Sequence, residues 1–248
     1  MSEQNNELSA ELQAKVEAVG KRLAAAAETY ADGIVLANSL GAEDVLLTDL
    51  LARFAPSIPM FVLDTGRLPE ETLSLLADVR KQYPALVTKV YYPEAADVEG
   101  YVKDNGVNAF YESQELRKGC CFVRKIKPLK RALSDQKAWI TGLRRQQSVT
   151  RDEIPFEEFD ADNGLQKLNP LADWTENEVW EYIKANNVPY NTLHDQHYPS
   201  IGCAPCTRAI SVGEDVRAGR WWWENPENRE CGLHSGASSV AVTPLNFK

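Results

Sequence analysis

The residues best suited to chemistry in this chain are its five cysteines, four of which come in two pairs, Cys120-Cys121 and Cys203-x-x-Cys206. Four thiolates suit either a structural zinc ion or an iron–sulfur cluster. The adjacent pair is the more informative half. Neighbouring side chains on a strand diverge, so both sulfurs serve one centre only from a turn or a helix end with an unusual backbone. Zinc needs both within one small tetrahedron, whereas a cubane offers separate iron corners spaced farther apart. The alternative is a redox-active CxxC beside two buried apolar cysteines, but KGCCFVRK is basic for an ordinary core. Lys118, Arg124, Lys125 and Lys127 would offset the charge of a thiolate-bound centre and attract a second anion beside it. The fifth thiol, Cys231, lies in a segment with little periodicity, where an incidental exposed thiol is the plain alternative to a function.

Elements must bring these residues together. Leu8, Leu12, Val16, Val19 and Leu23 recur at helical spacing and predict an amphipathic helix to about Tyr30, whose role is packing or contact with a second copy of the chain. Short apolar runs at Ile34–Ala37, Met60–Leu63, Leu86–Tyr92 and Ala138–Thr141 then alternate with helical stretches, one over Asp44–Phe54 and one opened by Pro69-Glu70-Glu71. That alternation predicts an α/β fold with a mostly parallel twisted sheet and helices on both faces. Ligands then bind at the carboxyl ends of the strands. Three polar turns fall there: Asn38-Ser39-Leu40-Gly41, Asp64-Thr65-Gly66-Arg67 and Thr141-Gly142-Leu143-Arg144. The first, between strand and helix, is placed to cradle a phosphate, or is plain turn chemistry; the other two each add an arginine able to grip phosphate or sulfate oxygens. Thr175 to Glu178 fits a capping box, and NNVPYNTLHDQHYPSIGCAPC fits a loop delivering Cys203 and Cys206. His194 and His197 fit loop packing there better than added metal ligands. The tryptophans at 221 to 223 suit adenine stacking or a lid, and equally core packing.

With 248 residues, 44% hydrophobic and 25% charged, the chain fits one core with a C-terminal extension: a leading helix over 1–30, a central domain over 31–223 and a tail over 224–248. Twenty-seven basic against 36 acidic residues, a net charge of −9, argue against general nucleic-acid binding. No apolar run is long enough for a membrane span, and the first residues carry no secretory signal, so a cytoplasmic protein is expected.

SLGAED, LDTGRLPEET, KGCCFVRKIKPL, TGLRRQQS, PSIGCAPCTR and ECGLH, in that order, resemble the assimilatory adenylyl sulfate reductases, the cluster-containing branch of the sulfonucleotide reductases. The resemblance runs from about residue 30 to 234. It implies an adenine nucleotide alpha hydrolase-like fold, related to ATP pyrophosphatases whose loop reads SGGxDS. Ser39 and Asp44 are retained here while the second Gly and the final Ser are absent, which suits binding a phosphosulfate rather than cleaving ATP. It implies further that Cys120, Cys121, Cys203 and Cys206 hold a [4Fe-4S] cluster and that Cys231 is the nucleophile. Lys125, Arg217 and Arg220 fall where the family contacts the phosphosulfate, and Ser39, Gly41, Asp44, Asp64, Thr65, Gly66, Arg67, Gly142 and Arg144 complete the expected substrate site. His197 departs from the family, whose members often carry Gly there.

The reaction so implied is attack of Cys231 on the sulfate sulfur of adenylyl sulfate, release of AMP, and reduction of the S-sulfocysteine to sulfite. Gly232, Ser235 and Gly236 would ease the swing of a mobile tail, and His234 is an acid–base candidate. Lacking a thioredoxin-like domain of its own, the chain is expected to take electrons from thioredoxin or glutaredoxin. The alternative within the family is a 3′-phosphoadenylyl sulfate reductase or an enzyme of both specificities. Outside it stand an ATP-dependent tRNA-thiolating enzyme and a zinc-stapled interaction module without catalysis; a homo-oligomer remains compatible with any of these.

Overall fold

A computed structural model of the chain describes residues 8–147 and 154–225. Its centre is a six-stranded sheet in the order β3-β2-β1-β4-β6-β5, formed by β1 (Ile34–Ala37), β2 (Met60–Leu63), β3 (Thr88–Tyr91), β4 (Ala138–Ile140), β5 (Glu157–Asp160) and β6 (Leu165–Leu168). All neighbours pair in parallel except β5 and β6, which are antiparallel. The expected strand over 86–92 is narrower, since Leu86 is turned into the core ahead of the ladder.

Side chains alternate across the pleat and divide the core in two. Ile34, Leu36, Met60, Val62, Ala138 and Ile140 face a layer made by α1 (Ala10–Tyr30), α2 (Ala42–Phe54), α3 (Glu70–Gln82) and α7 (Glu176–Ala185). Val35, Phe61 and Trp139 face the other way, toward α6 (Lys127–Leu133). Helices therefore cover both faces, as the strand–helix alternation implied. Thr175 caps α7 in a full capping box, its hydroxyl accepting from Glu178 N–H while the Glu178 carboxylate accepts from Thr175 N–H. Between β3 and β4 lie α4 (Ala95–Asn105) and α5 (Gln114–Cys121), absent from the sequence expectations. They pack on a small cluster of their own around Tyr101, Ala109 and Val123. Among the described residues no helix is long and apolar enough to cross a membrane.

Two features of this topology place a site. The chain leaves β1 for β2 on one side, and β4 later joins β1 on the other, so the strand order reverses at β1 and a crevice opens at the carboxyl ends of β1 and β4. The turn after β1 is then held from below. Buried Asn38 donates to the Thr48 hydroxyl at 2.8 Å, and its side-chain carbonyl accepts from Leu40 N–H at 2.7 Å. Leu40, at φ 63°, is thereby kept in a left-handed conformation that a leucine rarely adopts. Asn38→Ala removes both bonds and leaves buried groups without them. The expected loss is about 1–3 kcal/mol, read from the denaturant midpoint; an unchanged midpoint would show that Asn38 does not hold the turn.

Candidate functional site

All four paired cysteines are free thiols that line one cleft, which encloses about 310 Å³ with the solvent at its mouth included. Cys120 and Cys121 close α5, and the chain continues directly into a π-helix, Phe122–Ile126, before α6. This is the helix end with an unusual backbone that two adjacent cysteines require. Cys203 and Cys206 arrive on a short 3₁₀ turn, Ala204–Cys206, at the end of the long loop. Among the described residues no three Cys, His, Asp or Glu side chains stand close enough to hold a single metal ion. The thiols share a cleft, therefore, and do not form a mononuclear cage.

Arg67, Arg117, Arg124 and Lys125 line the same cleft. Burial pushes the Cys120 thiol up, with Arg124 opposing and Cys203 adding to the rise. Cys206 is pushed up to about 12, first by burial and then by Cys203, against Lys125. Burial thus favours the neutral form of these two thiols, and a cation held beside them would reverse that preference.

The turn after β2 reaches this cleft. Thr65, buried, has its hydroxyl 3.2 Å from Cys203 Sγ, and its carbonyl accepts from Arg124 at 2.7 Å. The Arg67 carbonyl accepts from Ala204 N–H at 2.8 Å, and the Arg67 guanidinium donates to the Val107 carbonyl at 2.7 Å while lying over the Phe110 ring. Asp64 turns the chain by accepting from Gly66 N–H at 2.8 Å, with Gly66 at φ 69°, where glycine is unstrained.

The crevice at β1 and β4 is already filled with charge. The Asp44 carboxylate, in the first turn of α2, accepts from Ser39 N–H at 2.7 Å, from the Ser39 hydroxyl at 2.5 Å and from Gly142 N–H. Burial pushes its pKa up to about 6 against these donors. Gly142 is required for the approach, since a Cβ there would collide with the Asp44 carboxylate. Arg144, expected to grip phosphate or sulfate oxygens, is buried and pairs with Glu43 at 2.8 Å.

Residues 217–225 complete the surroundings. Arg220 is buried and donates to the Ser200 hydroxyl at 3.2 Å; neither it nor Arg217, half-buried in the turn before it, lines the cysteine cleft. Trp221 is 1% exposed and held at φ 42°. Such a backbone costs about 1–3 kcal/mol and persists only where the surroundings over-determine it. Trp223 packs on Tyr111 at 4.4 Å and Trp222 is partly exposed, so two of the three tryptophans take the packing role. His194 packs on Trp180 at 5.0 Å. His197 stands at φ 66°, the conformation that makes Gly a natural occupant of its position.

Of the expected cations, Arg124 and Lys125 reach the cleft; Lys118 is exposed and Lys127 is paired with Asp97 at 2.5 Å. Arg67, expected at the nucleotide edge, lies here. Arg117 was missed, although it precedes Cys120 by three residues and so shares its helix face. Cys231, with its neighbours Gly232, His234, Ser235 and Gly236, lies outside the described residues.

Comparison with known proteins follows this geometry. The family model described as the phosphoadenosine phosphosulfate reductase domain matches residues 33–209. A protein of Allochromatium vinosum named adenosine 5′-phosphosulfate reductase is 60% identical over 82% of this chain and 79% of its own. One of the same name from Burkholderia cepacia is 53% identical over 96% of this chain and 93% of its own. The crystal structure of the phosphoadenylyl-sulfate reductase of Candida auris, a phosphate complex, superposes with a TM-score of 0.66 at 25% identity, covering 82% of this chain and 98% of that one. A parallel sheet with its strand-order reversal at β1, a cysteine-lined cleft beside it and this extent of similarity agree: the chain belongs to the phosphoadenosine phosphosulfate reductase domain family.

Proposed function

We propose that the chain reduces adenylyl sulfate to sulfite and AMP, with Cys231 as nucleophile and a dithiol protein such as thioredoxin or glutaredoxin as electron donor. One observation supports this site above others. The turn after β2 ends against Cys203, so the carboxyl edge of the sheet is in direct contact with the thiol cleft. The choice of adenylyl sulfate over its 3′-phosphorylated form rests on the relatives at 50–60% identity, which carry the adenosine 5′-phosphosulfate reductase name.

In this reading the phosphate lies at the α2 N-terminus beside Ser39 and Gly41, where the helix dipole and backbone N–H groups favour an anion. The sulfate points toward the cations of the cleft. The Cys231 thiolate attacks the sulfur, an S–S bond forms, the S–O bond to phosphate breaks, and AMP leaves with the electron pair. Lys125, Arg124 and Arg220 offset charge on the sulfate and the leaving phosphate. A dithiol donor then attacks the Cys231 sulfur, releases sulfite, and closes its own disulfide with its second thiol. Two electrons pass from the dithiol to sulfur, and its two protons are lost. A reaction that needs free thiols fits the reducing cytoplasm.

Cys120, Cys121, Cys203 and Cys206 would hold a [4Fe-4S] cluster, and the donor set suits it: four thiols from two elements in a cleft with four cations. Bound there, such a cluster supplies a fixed charged centre that keeps those cations in place. The residues' own part is to bind it, neutralise it and present Lys125 and Arg124 on the adjoining π turn.

Mixing the anaerobically purified chain with adenylyl sulfate and no reductant should give a Cys231 sulfo-adduct by mass spectrometry. No adduct, or one on another residue, removes the proposed nucleophile. Cys231→Ser is expected to keep its iron and lose sulfite release, whereas Cys203→Ser is expected to lose iron, which metal analysis and colour report.

Asp44 supplies a pH test. Its folded pKa is raised, so its protonated form is the one the fold favours: the stability contribution is full below about pH 4 and is lost as pH rises through about 6. A neutral Asp44 also tolerates a neighbouring anion better. Affinity for adenylyl sulfate, measured in the Cys231→Ser background, should therefore fall by roughly tenfold between pH 5 and 7.5. Asp44→Asn should flatten the profile; an equally steep profile in that variant would assign the titration to another group.

A further inference from the structure

Arg117, one of the four cleft cations, is tied up in a buried ion pair with Glu224, whose role the chemistry above leaves open. Arg117 is 2% exposed and lines the cysteine cleft from α5, one helical turn before Cys120. It donates from Nε to one Glu224 oxygen at 2.5 Å and from a terminal nitrogen to the other at 2.9 Å, a two-pronged grip across 107 residues of sequence. Two guanidinium groups lie over the Trp221 ring, Arg117 at 4.5 Å and Arg220 at 4.7 Å. Trp221 N–H donates to the Cys206 carbonyl at 3.2 Å, and Thr207 pairs with Arg220 in a short bridge. Residues 220–224 are thus fastened to both cysteine-bearing elements, to α5 through Glu224 and to the 3₁₀ turn through Trp221.

Two charges so deeply buried are no efficient route to stability, because their desolvation offsets much of their attraction; a pair of apolar residues would serve as well. What such a pair does give is a unique geometry. Trp221, at φ 42°, points the same way, since a strained backbone is retained where surrounding contacts fix one arrangement. Cys231 lies seven positions beyond Glu224, with six residues between them, a reach of at most about 25 Å. Where residue 224 is held therefore bounds where the thiol can go.

We infer that Arg117 and Glu224 are positioning residues for the terminal nucleophile: the pair fixes the point from which the chain departs toward Cys231, and does so only when both cysteine-bearing elements are in place. The inference rests on the nucleophile proposed above. It makes delivery of Cys231 conditional on an assembled cysteine centre, with no contact between Glu224 and substrate.

Glu224→Gln tests it in the iron-loaded protein. Iron content, and affinity for adenylyl sulfate in the Cys231→Ser background, are expected to stay within twofold of the parent, while Cys231 sulfo-adduct formation slows at least tenfold. A readout independent of turnover is the alkylation of Cys231 by iodoacetamide: AMP should slow it in the parent and fail to do so in E224Q. If E224Q does not fold, Glu224→Asp keeps the charge, draws the carboxylate back from Arg117, and is expected to fold with the same loss. Parental adduct rates and AMP protection in either variant would overturn the inference. So would a slowed rate that merely tracks lost iron and a lowered melting temperature, since that is a structural role alone. A parent that forms no adduct removes the proposed function and this inference together, whereas a reactive parent with an equally reactive E224Q removes only the inference.

Discussion

The contact of Thr65 with Cys203, 3.2 Å from hydroxyl to sulfur, joins two parts of the molecule that the fold assembles separately. Thr65 belongs to the sheet, one turn beyond β2, where parallel pairing fixes its place. Cys203 belongs to a loop without regular structure, and such a loop has no position of its own until something holds it. Here the turn holds it twice, through the hydroxyl and through Ala204 N–H on the Arg67 carbonyl. The same turn takes Arg124 on the Thr65 carbonyl and so holds the other cysteine-bearing element as well. Moving this turn would displace both cysteine pairs relative to the sheet edge.

Charge then decides what the assembled cleft can contain. A chain with a net charge of −9 gathers three arginines and a lysine around four thiols. Partly buried cations at close quarters repel one another unless anions sit among them. The Glu224 carboxylate meets one of these cations, Arg117. The crevice at β1 and β4 shows the converse arrangement: two carboxylates, Asp44 and Glu43, are held there by Ser39, Gly142 and Arg144. The two regions differ in sign and lie along one sheet edge.

Much of this was legible in the residues. The runs Ile34–Ala37 and Met60–Leu63 are strands to the residue, because fully buried parallel strands are apolar throughout and stand out from their surroundings. The capping box at Thr175 is local chemistry and appears as written. The β5–β6 hairpin was not legible: Glu157–Asp160 carries only Phe159 as an apolar residue, and that side chain is 63% exposed, so no alternation marks the strand. The cysteine cleft was legible in its thiols but only half in its cations. Sequence proximity nominated Lys118 and Lys127, which helical geometry points elsewhere, while Arg67 and Glu224 reach the site from distant elements. Their roles are set by tertiary packing, which no local pattern encodes.

The π turn between α5 and α6 carries its own implication. From Gln114 to Leu133 the chain runs as one continuous helical rod, yet Phe122–Ile126 is wound wider than its flanks. An α-helix advances about 100° per residue, so losing one residue from this wide segment would rotate the cysteine-bearing half of the rod by about that angle against the half anchored under the sheet. Cys120 and Cys121 would then be turned from their present aim into the cleft while every hydrogen bond of an ordinary helix was made. In this rod, residue count, more than residue identity, aims the sulfurs, and an insertion or deletion there would be a change of direction with no change of composition.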